Sequence, residues 1–445
     1  MATRRSFLSA LAGSAASLPV FREQAMGRVL RASEIAGARS PARVAEDEAY
    51  WTEIQRAFDV DRTMINLNNG GCSPAPTHVL DQMIRDLKFS NELPVDHMWR
   101  VLEPRIESVR RDLARDFGCD VEEMAITRNA SEANEIMIFG LDLKPGDEVI
   151  VTNQDHEANI GVWARLASAG VVVREWKVES ATGELRTADL EALLGPRTRA
   201  VAFTHCSNIV ASINRVREWT ELVHRAGARA IVDGVSFCPH GLPDIESLGA
   251  DIYLFSLYKV YGPHLGVMYV RRDFADELPH QGHFFNIARA EQRFTAAGAD
   301  HAQVAAVNGV LDYLEAVAGR HGFGDEPTPA RARAVRTLFR DHESALLQPL
   351  LDFLSKHPGI HMIGKDRAAE RAPTVAFTVD NHRSTDLAGR LAEFDLGVGV
   401  GHFYAYRLVK ALNIDTSDGV LRASFVHYTS AEEISRLISA LDATV

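Results

Sequence analysis

Short β-branched runs alternate with amphipathic stretches along residues 125–271, and this alternation restricts the possible folds more than any other feature of the chain. The runs "MAIT", "EVIVT", "VVVREWKV", "AVAFTH", "AIVD", "IYLFSL" and "LGVMYVR" read as strands, and "SEANEIMIFGL", "ANIGVWARLASAG", "LRTADLEALLG" and "REWTELVHRAGA" as helices. Strands joined through such helices make right-handed crossovers, so the expected fold is α/β, a mostly parallel sheet with helices on both faces. Ligands of such sheets sit at the carboxyl ends of the strands.

Upstream, "INLNNGGCSPAP" reads as a loop, and apolar spacing predicts helices over 78–89 and 103–117, the second with Ile106, Val109, Leu113 and Phe117 on one face. Downstream come helices over 303–318 and 329–354, the strands "GIHMIG" and "TVAFTV", the helix "STDLAGRLAEF", the strand "VLRASFVHY" and the helix "SAEEISRLISALDA". The 445 residues thus divide into a leader and linker over 1–45, a large domain over 46–310 and a smaller α+β domain over 311–445.

Hydrophobic residues at 46% and charged ones at 24% exclude disordered, collagen-like and coiled-coil classes. A net charge of −12 argues against nucleic acid or an anionic membrane as the main partner and favours a small-molecule enzyme. Cys72, Cys119, Cys206 and Cys238 show no CxxC spacing, so neither a zinc site nor a disulfide framework is indicated.

At the amino terminus, "TRRSFLSALAGSAASLPVF" joins Arg4 and Arg5 to an apolar stretch too short and too weakly apolar for stable membrane insertion. It resembles a twin-arginine export signal, with Ser6, Phe7 and Leu8 after the arginine pair. That resemblance implies a periplasmic protein, exported folded with any cofactor already bound, or a cytoplasmic one should the signal not function. The triplet Ala36-Gly37-Ala38 is one candidate cleavage site.

Four polar tags fall where strands should end. "ITRNASEANE" places Asn129, Ala130 and Ser131 at a helix start, where backbone N–H groups, a hydroxyl and the helix dipole suit a phosphate; an N-cap by Asn129 or Ser131 is the alternative. His156 in "VIVTNQDHEAN" is either a solvated loop residue or a flat ring over a ligand. Asp233 closes the strand of "AIVDGVSFCPHG", followed by Ser236 and His240, as a turn cap or a ligand-facing carboxylate. Ser256 and Lys259 interrupt the apolar "IYLFSLYKVYGPHLGVMYVRR"; burial there would lower the lysine's pKa and favour the neutral amine that Schiff-base chemistry needs. An amine for an aldehyde, a helix start for a phosphate and a carboxylate for a pyridine nitrogen are together what pyridoxal 5′-phosphate requires.

On "NLNNGG", "TRNASEA", "DHEANI", "HCSN", "VDGVSFCPH", "SLYKVYGPHLGVMYVRR" and "LRASFVHYTSAEEI", the chain from about Asn66 onward resembles the class V aminotransferases. These are fold-type I pyridoxal-phosphate enzymes that include cysteine desulfurases and isopenicillin N epimerase. The resemblance implies that Lys259 is the Schiff-base lysine, Asp233 the partner of the pyridine nitrogen and His156 the ring-stacking residue. It places Ala130, Ser131 and Ser256 in the phosphate cradle, and Asn208 and Ser236 at the phenolic oxygen. Arg422 falls where the family holds the substrate carboxylate, a structural salt bridge being its other reading.

The departures also inform. Tyr258 stands before the lysine where desulfurases usually carry His, which implies a rearranged phosphate contact, and "AGAD" around Gly298 replaces a Gly-Thr pair of the second subunit. Tyr404 occupies the place of the desulfurase nucleophile, which argues against persulfide formation; Cys72 is the one candidate thiol to substitute for it, and a packing role suits it better. The expectation is an enzyme acting on an amino acid or amine by aminotransferase-type chemistry, with a carbon–sulfur lyase or epimerase second. A non-catalytic cofactor-binding protein is the reading of another class. The family's two-fold sites imply a homodimer.

Overall fold

The computed structural model describes residues 18–37, 39–289, 292–295, 298–319 and 328–445. Arg4, Arg5 and Ala38 lie outside the described residues, as does Ala297 of the "AGAD" segment. The first strand, β1 (Ile65–Asn66), takes no part in the central sheet that follows it in the chain. That sheet comprises β2 (Met124–Thr127), β3 (Glu148–Thr152), β4 (Val172–Trp176), β5 (Thr198–Thr204), β6 (Arg229–Asp233), β7 (Ile252–Ser256) and β8 (Gly266–Val270). Its order is β2-β8-β7-β6-β5-β3-β4, and every pairing is parallel except those of β8, which runs antiparallel to both β7 and β2.

Burial on both faces explains the unbroken apolar text of these strands. Ile150, Val201, Phe203, Val232, Tyr253 and Phe255 join the core on one face, while their neighbours Val149, Val151, Ala200, Ala202, Ile231 and Leu254 join the core on the other. That is the two-residue period of a strand. The helix predicted over 103–117 forms as Glu103–Phe117, with Ile106, Val109, Leu113 and Phe117 buried.

The continuous helix expected over "ANIGVWARLASAG" does not form; Glu157–Asn159, Gly161–Ala164 and Arg165–Ala169 are three short helical turns. Local side chains divert the backbone and hold its start. His156 Nδ1 accepts from the Ala158 N–H at 3.0 Å, and Asn159 Nδ2 donates to Asp155 at 2.9 Å.

The amino-terminal stretch also departs from expectation. Helices span Leu18–Ala36, Pro41–Ala45 and Glu48–Gln55. Ala25, Val29, Ala32 and Ala36, at three-and-four spacing, are buried in the same core as Trp51, Val79 and Val317. Trp51 donates its indole N–H to the Val44 and Ala45 carbonyls and stacks on His342 with centroids 3.9 Å apart. Ala25, Val29, Ala32, Ala36, Val44 and Ala45 therefore pack as part of the body.

In the carboxyl-terminal part, β9 (Ile360–Ile363), β10 (Thr374–Val379), β12 (Gly399–Gly401) and β13 (Val420–Ser424) form an antiparallel sheet of order β12-β13-β10-β9, and β11 (Leu396–Gly397) pairs in parallel with β1. Its core joins Leu346, Leu350 and Leu354 of the helix Thr328–Lys356 to Phe377, Leu421 and Leu437, and takes in Ile65 and Leu67 from far upstream. The segment after β1 thereby reaches the small sheet, and Asn69 N donates to the Ser424 carbonyl at 3.1 Å. No described helix is long and apolar enough to cross a membrane.

Candidate active site

The carboxyl ends of β2, β3, β5, β6 and β7 open on one cleft. Ala130, Ser131, His156, Asn208, Asp233, Ser236, Ser256, Tyr258 and Lys259 all line it. Arg422 lines an adjoining cavity that shares Asn208, Ser236 and Lys259. The residues singled out in sequence thus converge, although Arg422 reaches Lys259 from β13 of the small sheet.

At one end the helix Ala130–Gly140 begins. Asn129 caps it, its side chain accepting from the Glu132 N–H at 2.9 Å, and Ala130 N donates to Ser256 Oγ at 3.2 Å. The cap and the anion-suited turn are therefore the same structure. Gly266 makes it possible: a Cβ there would lie 2.4 Å from Thr127 Oγ1 and 2.8 Å from Asn129 Cα.

In the middle, Asp233 ends β6 and accepts the Val235 N–H at 2.8 Å. Burial pushes its carboxyl up to about 6, opposed by that N–H and by the Lys259 amine. Lys259 is buried, and burial lowers its amine to about 8 with help from the Arg422 charge, while Asp233 and Cys72 pull the other way. His156 is pushed down to about 4 by burial, then by the Lys259 and Arg422 charges. Its ring is uncharged at neutral pH, which suits a stacking surface. Its chain neighbour, buried Asp155, is anchored by the Thr152 hydroxyl and by Asn159, and burial drives its pKa well up.

At the far end, Arg422 is 2% exposed. Nη1 donates to the Asn208 carbonyl at 3.1 Å, Nη2 donates to Asn68 Oδ1 at 3.2 Å, and the Phe403 ring lies 3.7 Å from the guanidinium carbon. Nε has no hydrogen-bond partner. Burial lowers this group to about 9. The salt-bridge reading is not realised among the described residues: neutral oxygens and a ring surround the charge.

Tyr258 stacks on His264 with centroids 4.2 Å apart, and its carbonyl accepts from Ser73 N at 3.0 Å and Cys72 Sγ at 3.3 Å. Asn208 turns its amide donor to the Phe403 carbonyl at 2.9 Å, leaving a buried Oδ1 without a partner. Asn134, Gln154 and Thr204 also line the cleft and were missed. Asn134 sits one helical turn beyond Ala130, so spacing offered a signal for it. Asn68 falls inside the "NLNNGG" motif without being singled out there, and nothing local marked Phe403.

This donor set matches what pyridoxal 5′-phosphate requires: a helix start for the phosphate, a carboxylate and an uncharged flat ring for the heterocycle, and a buried amine for the aldehyde. The partnerless side-chain atoms of Asn134 and Asn208 fit the same view, since the cleft presents buried polar groups that a polar ligand would satisfy.

The comparisons agree. Residues 65–321 and 333–437 match the family described as Aminotransferase class-V, and the chain belongs to that family. Pyridoxal phosphate is its cofactor. The chain is similar to the aminotransferase-like protein FGM3 of Gibberella zeae, 34% identical over 336 residues that cover 74% of this chain and 80% of that one. It is also similar to a cysteine desulfurase of Pectobacterium carotovorum, 30% identical over 354 residues, covering 76% and 81%. Among solved structures, the apo cysteine desulfurase of Thermococcus onnurineus NA1 superposes with a TM-score of 0.74 at 23% identity, covering 86% of this chain and 94% of that one. The fold-type I architecture with its mostly parallel sheet is thereby shared.

Proposed function

We propose that the protein acts on an amino acid or primary amine through Lys259, most readily by class V aminotransferase-type chemistry. The observation that carries this reading is the buried Lys259 amine, lowered to about 8, in one cleft with Asp233 and beside the buried cation of Arg422. Bound pyridoxal phosphate supplies an aldehyde that holds an amine and a ring that takes up electron density from the substrate carbon. The chain's own residues do the rest. Ala130, Ser131 and Ser256 hold the phosphate; Asp233 holds the pyridine nitrogen and keeps its proton; His156 covers the ring face. Asn208 and Ser236 lie toward the phenolic oxygen. Lys259 holds the aldehyde at rest and, once displaced, takes the substrate's α-proton on Nζ as a general base. The Nε edge of Arg422 receives a substrate carboxylate.

A second reading, carbon–sulfur lyase chemistry, is favoured by the desulfurase relatives and by the thiol of Cys72 beside the Tyr258 carbonyl. The experiment is an amino-acid panel with and without pyruvate. Keto-acid formation that needs the acceptor supports transfer, formation without it supports elimination, and no turnover at full cofactor occupancy overturns both.

We also propose a homodimer. Leu80, Ile84 and Leu87 expose an apolar face of the helix Thr77–Glu92, with Leu93, Val95 and Trp99 beside it. A monomer by light scattering would refute that. Export through Arg4 and Arg5 to the periplasm is a further proposal, tested by fractionating cells that express the Arg4→Lys, Arg5→Lys variant.

A further inference from the structure

The turn that brings Phe403 to Arg422 is unusual. Phe403 and Tyr404, neighbours in the chain, both adopt left-handed backbone conformations, with φ of 48° and 61°. Such conformations are unfavourable for residues with a Cβ and persist where surroundings impose them. Here they do. The Phe403 carbonyl accepts from Asn208 Nδ2 at 2.9 Å, the Tyr404 carbonyl accepts from the Glu157 N–H at 2.7 Å, and the Tyr404 N–H donates to His402 Nδ1 at 3.1 Å. The turn is thus tied to the two segments that carry Asn208 and His156.

What the constraint achieves is visible in the side chains. The Phe403 ring covers one face of the Arg422 guanidinium. Gly399 gives it room, for a Cβ there would lie 2.7 Å from that ring and 2.8 Å from Asn68 Oδ1. With Asn68 and the Asn208 carbonyl holding the two Nη atoms, the guanidinium plane is set and its partnerless Nε edge is left for a ligand. The next residue points elsewhere: Tyr404 is 69% exposed, and its ring centroid stands 5.0 Å from that of His156.

We propose that Phe403 is a positioning residue for Arg422 and that Tyr404 is a specificity residue at the cleft mouth, so that the site selects α-amino acids with a planar or apolar side chain. This rests on Arg422 reading the substrate carboxylate. A face-on aromatic ring holds a buried guanidinium electrostatically, and its removal frees the arginine to swing. An exposed tyrosine ring beside a second ring offers a flat apolar contact to whatever extends from the substrate's β-carbon.

The test uses the cofactor-loaded protein and follows the shift of its visible absorption band during titration with L-alanine, L-phenylalanine, ethylamine and phenethylamine. Phe403→Leu is expected to raise half-saturation for both amino acids about tenfold and to leave both amines unchanged, while Phe403→Tyr, which keeps the ring, behaves as wild type. Tyr404→Ala is expected to weaken L-phenylalanine about fivefold relative to L-alanine. Equal effects of Phe403→Leu on acids and amines, or a Phe403→Tyr variant as weak as the leucine one, would overturn the positioning role. An unchanged phenylalanine-to-alanine ratio in Tyr404→Ala would overturn the specificity role. Arg422→Gln separates the premise from the proposal: if it leaves the acid-to-amine preference intact, Arg422 does not read the carboxylate. If it abolishes that preference while Phe403→Leu does nothing, the premise stands and Phe403 is not its positioner.

Discussion

The floor and the far wall of the cleft are built in different ways. On the floor, Asn129, Asp233 and Ser256 each sit at or just beyond the end of a strand of one sheet, in ordinary extended backbone, with Lys259 on the turn that follows. Their relative positions follow from the spacing of neighbouring strands, about 4.8 Å apart. At the wall, Asn68, Asn208, Phe403 and Arg422 come from four separate segments, and Phe403 and Tyr404 keep strained backbone angles because Asn208 and Glu157 hold them. On the proposed function, regular structure aligns the cofactor, and a fitted surface that can vary without disturbing the sheet reads the substrate.

If that contrast is right, changes on the floor should strike every substrate equally and severely. Lys259→Ala is expected to lower turnover by about 10³–10⁴-fold with every amine or amino acid, and to abolish the borohydride-fixed adduct seen by peptide mapping. Asp233→Asn removes a charge worth about 4 kcal/mol at roughly 4 Å and an effective dielectric of about 20, so turnover should fall about 10³-fold. Comparable losses for amines and amino acids in both variants would confirm the division; a loss confined to amino acids would break it.

The next effects are on stability. Truncation through Gly37 strips Val29, Ala32 and Ala36 from the core and should cost about 3 kcal/mol or more in a urea melt. Retained stability would mean that the helix contributes little. Gly266→Ala pushes a Cβ to 2.4 Å from Thr127 Oγ1 and should destabilise by about 1–3 kcal/mol while also weakening cofactor retention on gel filtration. The smallest effect concerns pH. With its amine at about 8, Lys259 becomes neutral as pH rises through that value. The initial rate of cofactor uptake by apoprotein should therefore climb about tenfold per unit below pH 8 and level off above pH 9. A rate still climbing at pH 10 would indicate an ordinary exposed lysine.

Much of the floor was legible because its polar residues interrupt apolar strands at recognisable points. Asp233 after "AIV" and Lys259 after "IYLFSLY" needed no tertiary knowledge to be noticed. Arg422 was found only through its likeness to a family motif, and Phe403 not at all, since a Phe before a Tyr in "GHFYAY" announces nothing about a distant guanidinium. The helix Leu18–Ala36 escaped because alanines carry most of its buried stripe and the apolar face is weak. The broken crossover after β3 escaped because apolar spacing says nothing about Asp155 and His156 taking up the first turn.

Local preferences alone settled the succession of strands and helices, and with it which polar residues stand at the strand ends, because side-chain periodicity and turn chemistry act over a few residues. Only the assembled structure decided that Asn68 meets Arg422 across 354 positions, that Phe403 covers the same guanidinium, and that β1 leaves the large sheet for β11. Such meetings depend on how whole elements stack upon one another, which no short window of sequence encodes.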